Sequence, residues 1–173
     1  ATKELEEKLI EKGFELVVFD RGSSNPTIDN VMDAYRVYKE NNCECIIGFG
    51  GGSPMDLAKA VGAKVAYPNK DFKKLLGTLK VIKKIPTLIA IPTTSGSGSE
   101  VTVSAVITDN ETHQKYPMNS FSLIPSCAVL DPKVTYSLPK DFTSTTGMDA
   151  LTHAVEAYIG RSTTKETRKC SLD

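Results

Sequence analysis

Histidine and cysteine are scarce in this 173-residue sequence, which contains two histidines and four cysteines. The cysteines, at positions 43, 45, 127 and 170, lack the Cys-x-x-Cys spacing of zinc and redox motifs, and they are too few for a disulfide scaffold. We therefore expect them to be small core or surface residues. A catalytic metal site needs about three protein ligands, so the histidines alone do not make one.

Net charge and long apolar runs are also absent. The 21 basic and 21 acidic residues cancel, which leaves no charged surface for nucleic acid or an anionic membrane. No apolar run approaches the length of a membrane span, and residues 1–12 have the pattern of a charged amphipathic helix rather than a signal peptide. These observations predict a cytoplasmic protein that binds small molecules, and neither nucleic acid nor a membrane.

Apolar segments of strand length alternate with segments of helical period along the chain. Strands are predicted over residues 15–19, 44–49 and 86–91, and helices over 27–41 and 54–65. Because each strand is apolar almost throughout, the pattern indicates a parallel sheet covered on both faces, which is an α/β fold. Ligands bind such sheets at the carboxyl ends of the strands.

The pattern changes after the third strand. Residues 100–109 alternate with period two, which predicts a β-hairpin with residues 115–119 and places His113 in its exposed turn. The chain opens without a methionine, already inside a helical pattern, and stops in a polar segment at Asp173. From this we expect a fragment of a longer protein.

A glycine run, Gly50-Gly51-Gly52-Ser53, closes the second strand and is followed by Pro54 at the start of a helix. Residues without Cβ allow the backbone to approach a bulky anion closely, and proline fits the first helical turn. The free amides and the positive dipole end of the helix favour the same anion. The run therefore predicts a phosphate cradle, with an ordinary strand-to-helix turn as the alternative.

A second stretch, residues 91–100, leaves the third strand with several hydroxyl side chains and flexible backbone. These groups suit hydrogen bonds to a phosphate, a ribose or a base, although a loop without function is the alternative. A Walker loop is excluded because the stretch has no lysine, and it also lacks the Gly-x-Ser-x-Gly frame of a nucleophile elbow. The dinucleotide fingerprint fails at the glycine run, since Ser53 replaces its third glycine.

A third stretch, residues 147–158, has the period of a helix. Asp149 and His153 are four residues apart, so they share one helix face and can reach a single metal ion. A surface Asp–His pair is the alternative. The apolar side chains occupy a different arc and can pack, namely Met148, Leu151, Val155 and Tyr158.

Taken together, these stretches resemble the iron-containing alcohol dehydrogenase family, also called group III alcohol dehydrogenases. The resemblance runs from about residue 16 to residue 158. It rests on Asn25-Pro26-Thr27, Gly50 to Ser53 with Asp56 and Lys59, Ile91 to Thr94 with Gly96, Ser97 and Glu100, Leu130-Asp131-Pro132, and Gly147 to Ala154.

The resemblance implies a Rossmann-like NAD(P)-binding α/β domain with a β-hairpin over residues 1–138. Residues 139–173 would then begin an all-helical metal-binding domain. Asp149 and His153 match the first two metal ligands, and the ion is typically iron, with zinc in some relatives. The positions matching the binding site for NAD or NADP are Asn25, Gly50, Gly51, Gly52, Ser53, Asp56, Thr93, Thr94, Ser97, Thr102 and Lys115.

The implied activity is the interconversion of a primary alcohol and an aldehyde by hydride transfer. Since the family's further histidine ligands have no match here, we expect this chain alone to be inactive. The resemblance also implies that the parent enzyme is a homo-oligomer. Two alternatives remain open at this stage. The chain could be a nucleotide-binding module without activity, or part of a zinc enzyme similar to glycerol dehydrogenase.

Overall fold

The computed structural model describes residues 2–173. Five α-helices and six β-strands follow one another along the described chain, joined by loops and short 3-10 turns. In chain order they are α1 (Thr2–Glu11), α2 (Ile28–Glu40), β1 (Cys45–Gly50), α3 (Gly52–Ala66), β2 (Gly77–Thr78), β3 (Thr87–Pro92), β4 (Ser104–Thr108), β5 (Lys115–Asn119), β6 (Cys127–Ala128), α4 (Lys140–Ile159) and α5 (Lys165–Cys170).

The first sheet is parallel and has the order β1-β3-β6. Strands β1 and β3 pair along their whole length, from Cys45 opposite Thr87 to Gly50 opposite Pro92. The connection between them includes α3, which packs on both strands, as a parallel crossover requires. The α/β class predicted from the sequence is confirmed.

The second sheet contains the predicted hairpin. Strands β4 and β5 are antiparallel, with Thr108 opposite Lys115, and the two-residue β2 adds to β5 in parallel. The hairpin is shorter than predicted, because residues 99–101 form a 3-10 turn before β4 begins. His113 lies in the exposed connection, as predicted, with φ at 55°.

The core lies around α3, which packs against α2, β1 and β4. Its small apolar residues allow these close approaches, so almost every position from Met55 to Lys64 is buried. Fully buried large side chains from the surrounding elements complete the core, and they include Val31, Leu75, Val81, Leu88, Ile107, Met118 and Leu123.

Helix α2 begins as the sequence predicts. Thr27 is its N-cap and accepts a hydrogen bond from the Asn30 amide at 3.2 Å, while the Asn30 side chain accepts one from the Thr27 amide at 3.1 Å. This reciprocal pair satisfies two amide donors at the start of the helix. The Thr108 amide of β4 donates to the Pro26 carbonyl at 2.8 Å, so the start of α2 is tied to the hairpin.

The predicted strand over residues 15–19 is wrong. Residues 14–23 belong to no helix or strand, and Val17 and Val18 are 43% and 51% exposed. An apolar run gives a strand only where a neighbouring strand accepts and donates its backbone hydrogen bonds. No strand among the described residues pairs with this segment.

Helix α4 begins at Lys140, close to the domain boundary that we predicted after residue 138. That boundary stays a prediction. The apolar residues of α4 that are able to pack are exposed in this chain, with Met148, Leu151, Val155 and Tyr158 between 48% and 60% accessible. Among residues 2–173, no helix has the length and apolar character needed to cross a membrane.

Asp109 at the end of β4 is held in place by two partners. One carboxylate oxygen accepts the Glu111 amide at 2.8 Å, and the other lies 3.0 Å from the Lys73 ammonium, while the side chain is 6% exposed. The backbone hydrogen bond and the nearby ammonium lower the pKa of Asp109. A folded-state pKa below the unfolded value stabilises the fold above pH about 4, and this contribution is lost as the pH falls through the folded value.

We expect Asp109→Asn to lower the melting temperature at pH 7, because the amide removes the negative charge that Lys73 contacts. The difference from the unsubstituted chain should shrink as the pH is lowered below the pKa of Asp109. Thermal melts monitored by circular dichroism over a pH series measure both effects. Glu111→Gln is the matched control, since that side chain also contacts Lys73 but is 79% exposed, and its substitution should change little.

Candidate functional site

The two motif loops emerge side by side at the carboxyl edge of the parallel sheet. Gly50 ends β1 directly opposite Pro92, which ends β3. The Thr93 amide donates to the Gly50 carbonyl at 2.9 Å, so the pairing continues into the first loop residue. The structure therefore brings together the glycine run and the hydroxyl-rich stretch, at the edge where α/β sheets bind ligands.

The glycine run forms a turn that requires glycine at its first position. Gly50 has φ at +141°, and a Cβ there would lie 2.8 Å from the Pro54 ring. Gly51 is the N-cap of α3 and provides no side-chain cap, and the first helical turn has no acidic residue. Helix α3 begins two residues before the predicted start, so the amides of Gly52 and Ser53 belong to its first turn. They are donors for an anion, reinforced by the helix dipole.

The second loop faces these glycines at a short distance. A Cβ on Gly51 would lie 3.4 Å from the Thr94 side chain, and a Cβ on Gly52 would lie 3.4 Å from the Ser97 hydroxyl. Glycine thus allows two walls to approach each other closely, one made of backbone amides and the other of hydroxyl groups. This arrangement suits a bound phosphate, which accepts hydrogen bonds from both kinds of donor.

Ser53 connects the glycine run to the segment over residues 23–25, which precedes α2. Its hydroxyl donates a short hydrogen bond to the Ser24 carbonyl. Asn25 is therefore held near the glycine run, in an exposed position, and its carbonyl accepts a hydrogen bond from the Ser23 hydroxyl at 2.7 Å. The structure brings Asn25 to the same edge of the sheet, and its contact with a cofactor stays a prediction.

Lys59 is completely buried beneath the two loops. Its ammonium donates to the Ser99 hydroxyl, to the carbonyl and hydroxyl of Thr102, and to the Ser104 carbonyl, at distances of 2.8 to 3.2 Å. Burial lowers the pKa of Lys59 to about 8. We named Lys59 as part of a motif but gave it no role. The signal that could have identified one is a lysine inside a run of small apolar helix residues, where an exposed lysine is not expected.

Asp56 lies one turn before Lys59, and both of its carboxylate oxygens accept hydrogen bonds from protein groups. One carboxylate oxygen accepts the Ser99 hydroxyl at 2.9 Å, and the other accepts the Val106 amide at 2.9 Å. Burial raises the pKa of Asp56, while these two hydrogen bonds act in the opposite direction. The predicted direct contact between Asp56 and the cofactor is not tested, but the contacts that the structure describes are internal.

Lys115 begins β5 and is exposed, opposite Thr108 in the hairpin. Its exposure makes the ammonium accessible to a ligand. We expect Lys115→Ala to weaken dinucleotide binding by roughly 1 kcal/mol, about fivefold, because a charge-assisted hydrogen bond is lost. Titration calorimetry measures the affinity. A variant that melts early and binds normally would instead make Lys115 a structural residue.

Asp149 and His153 lie on the same face of α4, as the spacing predicts. The His153 Nε2 atom is 3.8 Å from an Asp149 carboxylate oxygen, and both side chains are about half exposed. A carboxylate and an imidazole are suitable ligands for iron or zinc. No cluster of three or more His, Cys, Asp or Glu side chains that could hold a metal occurs in the described part of the chain, so the pair is an incomplete ligand set.

Gly96 joins the hydroxyl-rich loop to α4. A Cβ at this position would lie 2.1 Å from the Thr146 carbonyl oxygen, so the loop backbone and the helix backbone are in direct contact. Asp149 follows Thr146 by three residues, which is less than one helical turn. The Asp149–His153 pair is therefore placed on the same side of the molecule as the two loops.

Comparisons with known proteins agree with this geometry. A family model described as iron-containing alcohol dehydrogenase matches residues 1–132. An NAD-dependent methanol dehydrogenase of Bacillus methanolicus is 35% identical over 166 residues, which are 96% of this chain and 43% of the relative. An NADPH-dependent butanol dehydrogenase of Clostridium saccharobutylicum is 37% identical over 153 residues, which are 87% of this chain and 39% of the relative.

Among solved structures, a 1,3-propanediol oxidoreductase superposes with a TM-score of 0.95 at 35% identity. The match covers 99% of this chain and 45% of that one. The chain thus spans about two fifths of the length of the curated relatives it matches. The family model matches about three quarters of this chain, and both motif loops are in place. The chain therefore belongs to the iron-containing alcohol dehydrogenase family.

Proposed function

We propose that this chain is the cofactor-binding part of a metal-dependent alcohol dehydrogenase that uses NAD or NADP. The reaction would interconvert a primary alcohol and an aldehyde by hydride transfer. The observation that carries the proposal is the placement of the α3 N-terminus, the hydroxyl-rich loop and the Asp149–His153 pair on one side of the molecule. The activities named for the methanol and butanol dehydrogenases support the same class of substrate.

The glycine run would bind the pyrophosphate of the dinucleotide. Its amides are held at the start of a 15-residue helix with no acidic residue in the first turn, which favours a negatively charged ligand. Thr94 and Ser97 would complete the pocket from the opposite wall. NAD and NADP both fit this description, because the pyrophosphate is common to the two cofactors.

Asp149 and His153 would hold the metal, together with ligands from outside the described residues. When bound, the metal would supply a Lewis acid for the alcohol oxygen and the nicotinamide would supply the hydride acceptor. The chain's own contribution would be to fix the position of the metal site relative to the cofactor site. The contact between Gly96 and Thr146 packs α4 directly against the hydroxyl-rich loop. Iron is the ion implied by the family, and zinc also accepts carboxylate and imidazole ligands. A cytoplasmic location, a homo-oligomeric parent, and the absence of nucleic-acid and membrane partners stay predictions.

The proposal is tested on the complete gene product by measuring metal content and alcohol-dependent formation of NADH or NADPH. We expect both in the unsubstituted protein, and no activity in the 173-residue chain alone. His153→Ala should remove metal and activity while leaving dinucleotide affinity unchanged. Turnover that persists after metal is removed would contradict the proposal. Dinucleotide binding without turnover in the complete gene product would favour a binding module instead.

A further inference from the structure

Helix α3 carries two polar side chains on a face that is otherwise apolar. Asp56 and Lys59 are three residues apart and therefore neighbours on the helix surface. Both are directed into the segment over residues 99–106, which runs from the end of the hydroxyl-rich loop into β4. We call these two residues and their hydrogen bonds the Asp56–Lys59 clamp.

Burial of the charged groups of the clamp has a high desolvation cost, so core stability alone does not explain them. A lysine is almost never completely buried unless its charge is compensated, and apolar side chains of similar volume often stabilise a fold as well or better. The Lys59 ammonium has three hydrogens, and four protein acceptors lie within 3.2 Å of it. Such a cage fixes the position of the segment that supplies the acceptors more strictly than apolar packing would.

The residues fixed by the clamp lead directly to the cofactor pocket. Ser99 accepts a hydrogen bond from Lys59 and donates one to Asp56, and its amide donates to the Ser97 hydroxyl at 3.3 Å. Ser97 in turn faces Gly52. Thr102 is held by Lys59 through both its carbonyl and its hydroxyl. The wall that carries Ser97 and Thr102 is thus attached to the same helix whose N-terminus forms the opposite wall.

We propose that Asp56 and Lys59 are positioning residues that set dinucleotide affinity by fixing the distance between the two walls of the pocket. This inference rests on the proposed function, because it assumes that a dinucleotide occupies the pocket. Neither side chain needs to touch the ligand. The clamp acts through Ser99 and Thr102, which hold the hydroxyl-rich loop in the geometry that a rigid ligand requires.

Lys59→Met is the direct test, because methionine is similar in length and can fill the volume but donates no hydrogen bond. Lys64→Met is the matched control. Lys64 lies on the same helix, is 6% exposed, and donates to the carbonyls of Pro68 and Lys70, away from the pocket. Both variants lose a buried lysine that organises a loop, so a purely structural role predicts the same binding behaviour for both.

Dinucleotide affinity is measured by titration calorimetry with NAD and with NADP, and stability by thermal melting, in the complete gene product. We expect Lys59→Met to weaken affinity by about tenfold or more, and Lys64→Met by less than about twofold. Lys59→Arg should restore part of the affinity, because a guanidinium still donates to the same acceptors. Equal affinities in Lys59→Met and the unsubstituted protein would overturn the inference.

A second variant covers the case in which Lys59→Met does not fold. Asp56→Asn retains one oxygen acceptor in place of the two that now serve the Ser99 hydroxyl and the Val106 amide, and it loses the negative charge, so it weakens the clamp less than Lys59→Met does. We expect faster amide hydrogen exchange over residues 97–104 and weaker dinucleotide binding, and unchanged exchange and binding would overturn the inference. If the unsubstituted protein binds neither NAD nor NADP, the proposed function fails, which is a different result from failure of the clamp.

Discussion

Replacing Gly51 by valine is expected to abolish dinucleotide binding and leave the fold intact. The backbone at Gly51 has φ at −77°, a conformation open to any residue, and a Cβ would lie at an ordinary contact distance of 3.4 Å from Thr94. The chain alone therefore accommodates a Cβ at this position. A bound phosphate is not expected to fit, because the methyl groups of valine would occupy the space that the phosphate must enter.

The expected loss of affinity is at least about hundredfold, since steric overlap costs about 1–3 kcal/mol and the amide hydrogen bonds to the phosphate are lost as well. Titration calorimetry with both dinucleotides measures it, and circular dichroism confirms the fold. Gly51→Ala is the graded control and should lose less affinity than the valine variant. Unchanged binding in Gly51→Val would show that the glycine run is an ordinary turn.

Substitution of Gly96 by alanine is expected to damage activity more than cofactor binding. The added Cβ would lie 2.1 Å from the Thr146 carbonyl oxygen, and neither partner can rotate away because the contact is with backbone. Helix α4 must shift, and the Asp149–His153 pair shifts with it. A misplacement of about 1 Å in a catalytic site can reduce turnover by about hundredfold, and overpacking typically costs about 1–3 kcal/mol of stability.

Gly147→Ala is the control for Gly96→Ala, because Gly147 adjoins Thr146 on the same helix and a Cβ there meets nothing within 4 Å. Alanine in a helix interior should stabilise the chain by roughly 0.5–1 kcal/mol relative to glycine. Thermal melting and steady-state kinetics on the complete gene product distinguish the two variants. If Gly96→Ala kept full turnover, the loop would not position α4.

The features that the sequence predicted well are those determined by neighbours along the chain. Thr27 and Asn30 form the start of α2 with each other, and the glycine run makes its turn with Pro54, four residues away. The alternation over residues 104–108 is likewise a local signal for a hairpin. Local propensity, turn chemistry and fold agree at these places, which is the condition for reading structure from sequence.

The features that it missed depend on distant partners. Val17 and Val18 have the composition of a strand, but their segment pairs with no strand in the part of the chain that the structure describes. The small apolar neighbours of Lys59 indicate burial, but its hydrogen-bond partners Thr102 and Ser104 lie more than 40 residues away and are brought to its ammonium only by the fold. The internal partners of Asp56, which are Ser99 and Val106, are likewise more than 40 residues away, and its contact with a cofactor stays a prediction.

The junction at Gly96 also bears on how such a protein can diversify. The pocket walls are fixed from within by α3 and the 99–106 segment, whereas α4 rests on the adjoining loop through a contact between two backbones. A contact of this kind depends on the absence of a side chain at residue 96 and not on the identity of the side chains along α4. Substitutions on the surface of α4 can therefore accumulate without changing this contact, so that, under the proposed function, the helix that carries Asp149 and His153 and the loops that carry the glycine run can diverge independently.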